Sequence, residues 1–273
     1  MVDARRTAER LAPDMRELKL SISAAEYGPE DLVERDETLS GLVEEYGNLE
    51  AEINSVYADF LGKVGRTEEG LYYARRAYRL DPFNVGVLGN LNELLQQSRL
   101  YDEAREVLEK QLMLEEYVPG VPAFAELAML EMLEGDWAAA KATTSNSVAS
   151  REGQIRLLEY LEKGDMAGGL TEIRRMLDDS ATNLVLRMRH MNTLAALMGD
   201  TQLALETLPD GMQFYPSLFS NQQFWRAFGD EVRKTPEFKQ RVEELGLVNY
   251  WRTTGNWADD CRPLEGSDDF ECF

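Results

Sequence analysis

An all-α solenoid of about five to six helical hairpins, ended by a C-terminal helical cap, is the fold this 273-residue chain predicts. Three observations lead there. Turn-like positions Gly65, Arg99, Gly135, Gly164 and Gly199 follow one another at spacings of 34, 36, 29 and 35 residues, the self-similarity of stacked repeats. Around each turn, small and apolar residues recur in the order that two paired helices require. From Gln222 onward that order stops and a denser aromatic pattern replaces it.

The first element is a degenerate N-terminal hairpin or cap over residues 1–50. Leu20, Ala24, Gly28 and Val33 fit a first helix, a YGPED turn and a second helix ending near Gly47. The clearest unit runs from Asn54 to Pro82. Ala58 and Gly70 let its helices approach closely, Gly65 occupies the turn and Pro82 ends the second helix. Leu61, Tyr73 and Leu80 add apolar bulk. The second unit uses Leu88, Leu91, Leu95, Ala104 and Leu108 around SRLYDEA. The third uses Phe124, Leu127, Ala128 and Ala140 around EGDWAAA. A fourth has Leu157, Tyr160, Gly169 and Ile173 around KGDMAGG, and a fifth has Ala195, Ala204 and Leu208 around MGDTQLA. The repeats therefore span 51–215. Acidic starts of second helices favour helix N-termini, so part of the acidic excess is structural.

In order, small–large–Gly–Ala–aromatic–Ala–Pro is the tetratricopeptide pattern, and Ala58, Leu61, Gly65, Gly70, Ala74, Ala77 and Pro82 resemble it. Gly70 and Ala74 depart from the usual alanine and aromatic. The resemblance covers roughly residues 14–210 and implies a right-handed superhelix with a concave groove lined by the first helices.

The cap is assigned to 216–260. Phe224, Trp225, Phe228, Val232, Phe238, Val242, Leu245 and Leu247 suggest two short helices over the last hairpin, with Pro236 opening the second. Tyr250, Trp251 and Trp257 complete its apolar face, as an end with no further neighbour requires. An acidic tail, 261–273, follows and holds both cysteines, Cys261 and Cys272. Residue spacing leaves two readings of them open: reduced surface thiols, or a small clasp contributing about 3 kcal/mol by loop entropy.

Pro236, Phe238, Leu245, Gly246, Leu247, Tyr250, Trp251, Gly255, Trp257, Asp260 and Cys261 are similar to the ending of tetratricopeptide modules attached to bacterial class III adenylate cyclases or ToxR-like winged-helix regulators. Ala258 departs from the proline common there. This resemblance covers about 230–272. It implies a sensory or regulatory module in which the two cysteines pair; it carries over no cyclase or winged-helix activity.

Composition narrows the function. With 29 Lys plus Arg against 50 Asp plus Glu, the net charge is −21, which disfavours nucleic-acid backbone and anionic membrane surfaces. One histidine and two cysteines cannot build a four-ligand Cys/His zinc site. Asp259, Asp260, Asp268, Asp269 and Glu271 lack calcium-loop spacing, and LGKVGR lacks the GK[ST] ending of a phosphate loop. His190, beside Arg187 and Arg189, has no nucleophile–acid arrangement around it and reads as structural or surface. The chain is expected to be non-enzymatic, without cofactor or metal.

The expected partner is a protein or peptide in the concave groove. Its wall is assigned to Glu52, Asp59, Lys63, Asn90, Glu93, Gln97, Met129, Met132, Leu158, Arg189 and Thr193. Acidic and amide groups suit a basic or extended peptide, and methionines adapt to apolar side chains. Exposed terminal repeats also allow a homodimer. The runner-up is a small-molecule sensor with a pocket between the repeats and Trp225, Tyr250, Trp251 and Trp257. No apolar run is long enough to span a bilayer, so no direct membrane insertion is expected. The charged N-terminal stretch favours a cytoplasmic location, and attachment to an exported or membrane-anchored protein would make it periplasmic.

Overall fold

The computed structural model describes residues 32–114, 122–146, 151–178, 191–207 and 222–273. Helix α1 (Leu32–Tyr46) precedes five hairpins. They are α2 (Ala51–Lys63) with α3 (Thr67–Leu80), α4 (Val85–Gln97) with α5 (Tyr101–Leu114), and α6 (Pro122–Leu133) with α7 (Trp137–Asn146). Next come α8 (Arg151–Lys163) with α9 (Met166–Asp178), then α10 (Met191–Leu197) with α11 (Thr201–Glu206). Each helix packs on its chain neighbour, and α2 also packs on α4, so the hairpins stack into an all-α solenoid. The α1 helix matches the second half of the expected N-terminal hairpin. Leu20, Ala24 and Gly28, assigned to its first half and turn, lie outside the described residues, as does Leu208.

All five turns are built alike. Gly65, Arg99, Gly135, Gly164 and Gly199 take positive φ, from 59° to 85°. The following N–H groups, of Arg66, Leu100, Asp136, Asp165 and Asp200, return to the carbonyls of Leu61, Leu95, Glu131, Tyr160 and Ala195 at 2.8–3.0 Å. This is the left-handed closure that satisfies a helix's last carbonyls. In the last three units the next residue is aspartate, whose carboxylate accepts from Ala139, Gly168 and Leu203 N–H and starts the second helix. The Gly-Asp pairs in the sequence thus stop one helix and begin the next.

Small residues set the helix spacing. A Cβ on Gly70 would meet the Ala58 carbonyl oxygen at 3.1 Å and Leu61 Cβ at 3.3 Å. Ala58, Ala74, Leu91, Leu94, Leu95, Ala104, Leu108 and Leu130 form an apolar cluster between the first three hairpins. Outside it, Arg75–Glu103, Arg105–Glu134, Lys141–Glu162 and Arg174–Asp200 link successive units. Exposed pairs of this kind contribute about 0–1 kcal/mol each, so apolar packing carries the stack.

The cap contains more than two helices. Two 3₁₀ turns, Gln222–Trp225 and Ala227–Gly229, lead into α12 (Asp230–Arg233), α13 (Pro236–Glu244) and α14 (Leu247–Thr254). Thr235 caps α13, with Pro236 at its start. An antiparallel ribbon follows, β1 (Cys261–Pro263) with β2 (Phe270–Cys272), in register Cys261↔Cys272 and Pro263↔Phe270. A disulfide joins Cys261 and Cys272. The α12 and α13 helices lie on α11 as expected, but α14 reaches α1, and the first 3₁₀ turn lies on α2. One buried cluster therefore runs from Leu32 through the repeats to Phe270 and Cys272. The cap touches both ends of the described solenoid, with α12 and α13 on α11 while Tyr250, Trp251 and Trp225 reach Asp36 and the end of α2.

Candidate functional site

The cap meets two members of the expected groove wall, Lys63 and Glu93. The contact begins with groups that a helical hairpin leaves unsatisfied. A helix's final carbonyls lack intrahelical donors. At the end of α2, Trp251 Nε1 donates to the Val64 carbonyl at 2.9 Å, Trp225 Nε1 to that of Lys63 at 3.3 Å, and Asp259 N–H to that of Gly65 at 2.9 Å. The next helix opens at Arg66, whose side chain makes no cap. Asp259 supplies one from the far end of the chain, accepting from Glu68 N–H at 2.8 Å. Gly65 also makes room: a Cβ there would lie 2.6 Å from Ala258 Cβ and 2.9 Å from the Trp225 ring.

A second contact is a buried polar knot. Arg66 Nη1 donates to Tyr250 Oη at 2.6 Å and to Asp36 Oδ2 at 2.8 Å. Both Tyr250 and Tyr57 donate to Asp36, at 2.7 and 2.9 Å. Burial, reinforced by the Asp36 charge, pushes both phenols above their ordinary pKa and keeps them as neutral donors. Asp36 thus accepts from one cation and two hydroxyls drawn from α2, its following turn and α14.

The third contact is Arg226. Its side chain is 0% exposed, and Nη2 reaches Glu93 at 2.8 Å and Glu126 at 2.9 Å, on the first helices of the second and third hairpins. Gln96 Nε2 donates to Asn92 Oδ1 at 3.1 Å and approaches Glu126 at 3.5 Å. Burial pushes the Glu93 carboxyl upward, Arg226 opposes this, and Glu126 adds to it. Two acids sharing one buried guanidinium form a receptor for a single positive charge. Arg233, also fully buried, holds Asp230, Asp260 and the Phe273 carbonyl within the cap.

Each residue assigned to the groove wall has a definite place. Glu52 is exposed on the first turn of α2. Asp59 and Lys63 pair with each other. Asn90 Nδ2 donates to Ser55 Oγ at 2.9 Å, and Gln97 accepts from Thr67 Oγ1 at 3.0 Å. Glu93 binds Arg226. Met129, Met132, Leu158 and Thr193 are buried. Arg189 lies outside the described residues, as do His190 and Arg187. Trp225, Tyr250 and Trp251 are buried, with indole N–H groups taken by backbone carbonyls; Trp257 is half-buried against Trp251 and Phe270. Among the described residues, no group of three or more His, Cys, Asp or Glu is placed to hold a metal ion, and no helix is long and apolar enough to cross a membrane.

Sequence reading missed Asp36, Arg66, Glu126 and Arg226. Two carried a signal: Arg226 stands between aromatics in FWRAF, and Glu126 stands in the apolar run PAFAELAML. A lone charge in such surroundings needs a buried partner.

No family model matches the sequence, and no curated protein matches it. Solved structures do. A tetratricopeptide repeat protein from Parabacteroides merdae aligns at 16% identity with a TM-score of 0.50, over 78% of this chain and 77% of that one. This likeness supports the TPR-like α-solenoid fold. A structure of Naa15/Naa10 bound to HypK-THB aligns at 17% identity with a TM-score of 0.38, over 89% of this chain and 36% of that one, too loosely to bear on the argument.

Proposed function

We propose that this chain is a non-catalytic interaction module that binds a protein or peptide partner through its solenoid. The observation that supports this most is how the solenoid already holds a non-repeat segment. It takes up Trp225 and Trp251 through carbonyls at the end of α2, Tyr250 through Asp36, and Arg226 through Glu93 and Glu126. Trp, Tyr and Arg in desolvated pockets are the anchors that protein interfaces use. Glu126 joins Glu52, Asp59, Asn90, Glu93 and Arg189 in the proposed partner-facing set; Lys63, Gln97, Met129, Met132, Leu158 and Thr193, expected there from the sequence, are buried and would support that set from beneath.

In finer terms, the reading is a regulatory module similar to those that end bacterial class III adenylate cyclases and ToxR-like regulators. Its support is the joint packing of Phe238, Leu247, Tyr250, Trp251, Trp257 and the Cys261–Cys272 clasp into one cap. Repeats over 51–215, a cap over 216–260 and a clasped tail over 261–273 are its working parts. Affinity capture from the native host with cross-linking mass spectrometry tests the reading. A stoichiometric partner cross-linked to the repeats is expected; monomer alone under mild conditions would sink it.

A further inference from the structure

Residues 222–229 cross from the cap to the first helices of the first three hairpins, at Lys63, Glu93 and Glu126. They form two single 3₁₀ turns rather than a repeat helix. Phe224 and Trp225 are buried against Phe238 of the cap, Trp225 also reaches the Lys63 carbonyl, and Arg226 reaches Glu93 and Glu126 on helices a hundred or more residues earlier in the chain. The fit is incomplete. Arg226 Nε and Nη1 have no hydrogen-bond partner, and neither do Gln96 Oε1 and Asn92 Nδ2 in the same connected cluster. A buried guanidinium with two idle donors loses hydration that nothing returns, so this segment is an imperfect ligand for its own receptor.

We propose that residues 222–229 are an intramolecular pseudoligand, and that the partner displacing them is an extended segment carrying an arginine between aromatic residues. This rests on the interaction-module reading and names the chemistry of its partner. The Glu93–Glu126 pair takes the partner's arginine, and the helix-end carbonyl of Lys63 takes an aromatic N–H or O–H donor. Tethering gives the internal segment a high effective concentration, so an external peptide binds the resting protein weakly. The solenoid then works as an autoinhibited receptor, opened by a segment that satisfies the clamp better than Arg226 does.

The test uses the full chain and a labelled peptide, QQFWRAFGD, identical to residues 222–230. The variant Arg226→Ala removes the internal guanidinium and leaves both carboxylates in place. Fluorescence anisotropy should show it binding the peptide at least tenfold tighter than the unmodified chain. Adding Glu93→Gln and Glu126→Gln should abolish that gain, and QQFWAAFGD should not bind. A folded Arg226→Ala chain that ignores the peptide, or binds both peptides equally, overturns the proposal. If that variant does not fold, the unmodified chain decides the matter by hydrogen exchange. Millimolar peptide should then raise exchange at 222–229, and at the Phe238 and Trp251 contacts they cover, while α4 and α6 stay protected; no rise at 222–229 overturns it. A native partner cross-linked only near exposed Phe83 and Met113 would defeat this proposal yet leave the interaction-module reading standing.

Discussion

Charged groups withdrawn from water need compensation, and the carboxylates of this chain show two regimes. Glu172 lies on the outer surface between two arginines, accepting from Arg175 Nε at 2.7 Å and Arg156 Nε at 3.0 Å. The Arg175 hydrogen bond, helped by Arg156 against a smaller burial effect, holds its carboxyl down at about 2 from an ordinary 4.5. Because the folded pKa is the lower one, the stabilisation is full above pH 4.5 and is lost as pH falls toward 2. Glu172→Gln should therefore lose less melting temperature than the parent chain across that window; parallel acid profiles would contradict the assignment. Glu93 is the opposite regime. There burial raises the pKa, and the Arg226 charge opposes that rise. Removing that arginine should cost about 3–5 kcal/mol, the usual loss when one member of a buried pair is deleted.

At the scale of elements, five turns share one backbone closure but carry different loads. Gly164 has φ +70° and open space where a Cβ would stand, so Gly164→Ala should cost about 1–2 kcal/mol for left-handed strain alone. Gly65 has the same backbone constraint, with Ala258 and Trp225 pressed against it. Gly65→Ala should exceed that cost and loosen the cap as well, which urea unfolding of both variants would measure. Equal costs would mean that the cap does not rest on this turn. These turns were legible because their signal is local: a left-handed residue, an aspartate cap and small residues recur within each unit. The landing place of the cap was not, since Arg226 with Glu93 and Trp251 with Val64 join elements far apart in the chain. The expectation of helices over the last hairpin held for α12 and α13. It missed the reach of α14 because no repeat pattern describes how an ending crosses the enclosed space.

Across the whole molecule, the ending shares a buried cluster with α1, α2 and the third to fifth hairpins, so it contributes to global stability. Phe270 is fully buried, 6.1 Å from the Trp251 ring centroid and 5.9 Å from that of Trp257. The ribbon that carries it has three residues per strand, too short to stand alone in water. The disulfide supplies the missing constraint. Reduction should lower the unfolding free energy by about 2–4 kcal/mol and alter tryptophan emission, as read by urea titration with and without a phosphine reductant. Unchanged unfolding would show that packing alone holds the ribbon. The −21 net charge has a related consequence, because a strongly acidic protein favours cationic segments over anionic ones.

The solenoid holds the chain's own cap through Arg226, paired with Glu93 and Glu126. A double-mutant cycle of Arg226→Ala with Glu93→Ala, followed by denaturant unfolding, tests it most directly. Each single change should destabilise the protein, and together they should cost less than the sum, with a coupling of about 1–3 kcal/mol. Strict additivity within about 0.3 kcal/mol would mean the two side chains do not meet, and the cap lies elsewhere.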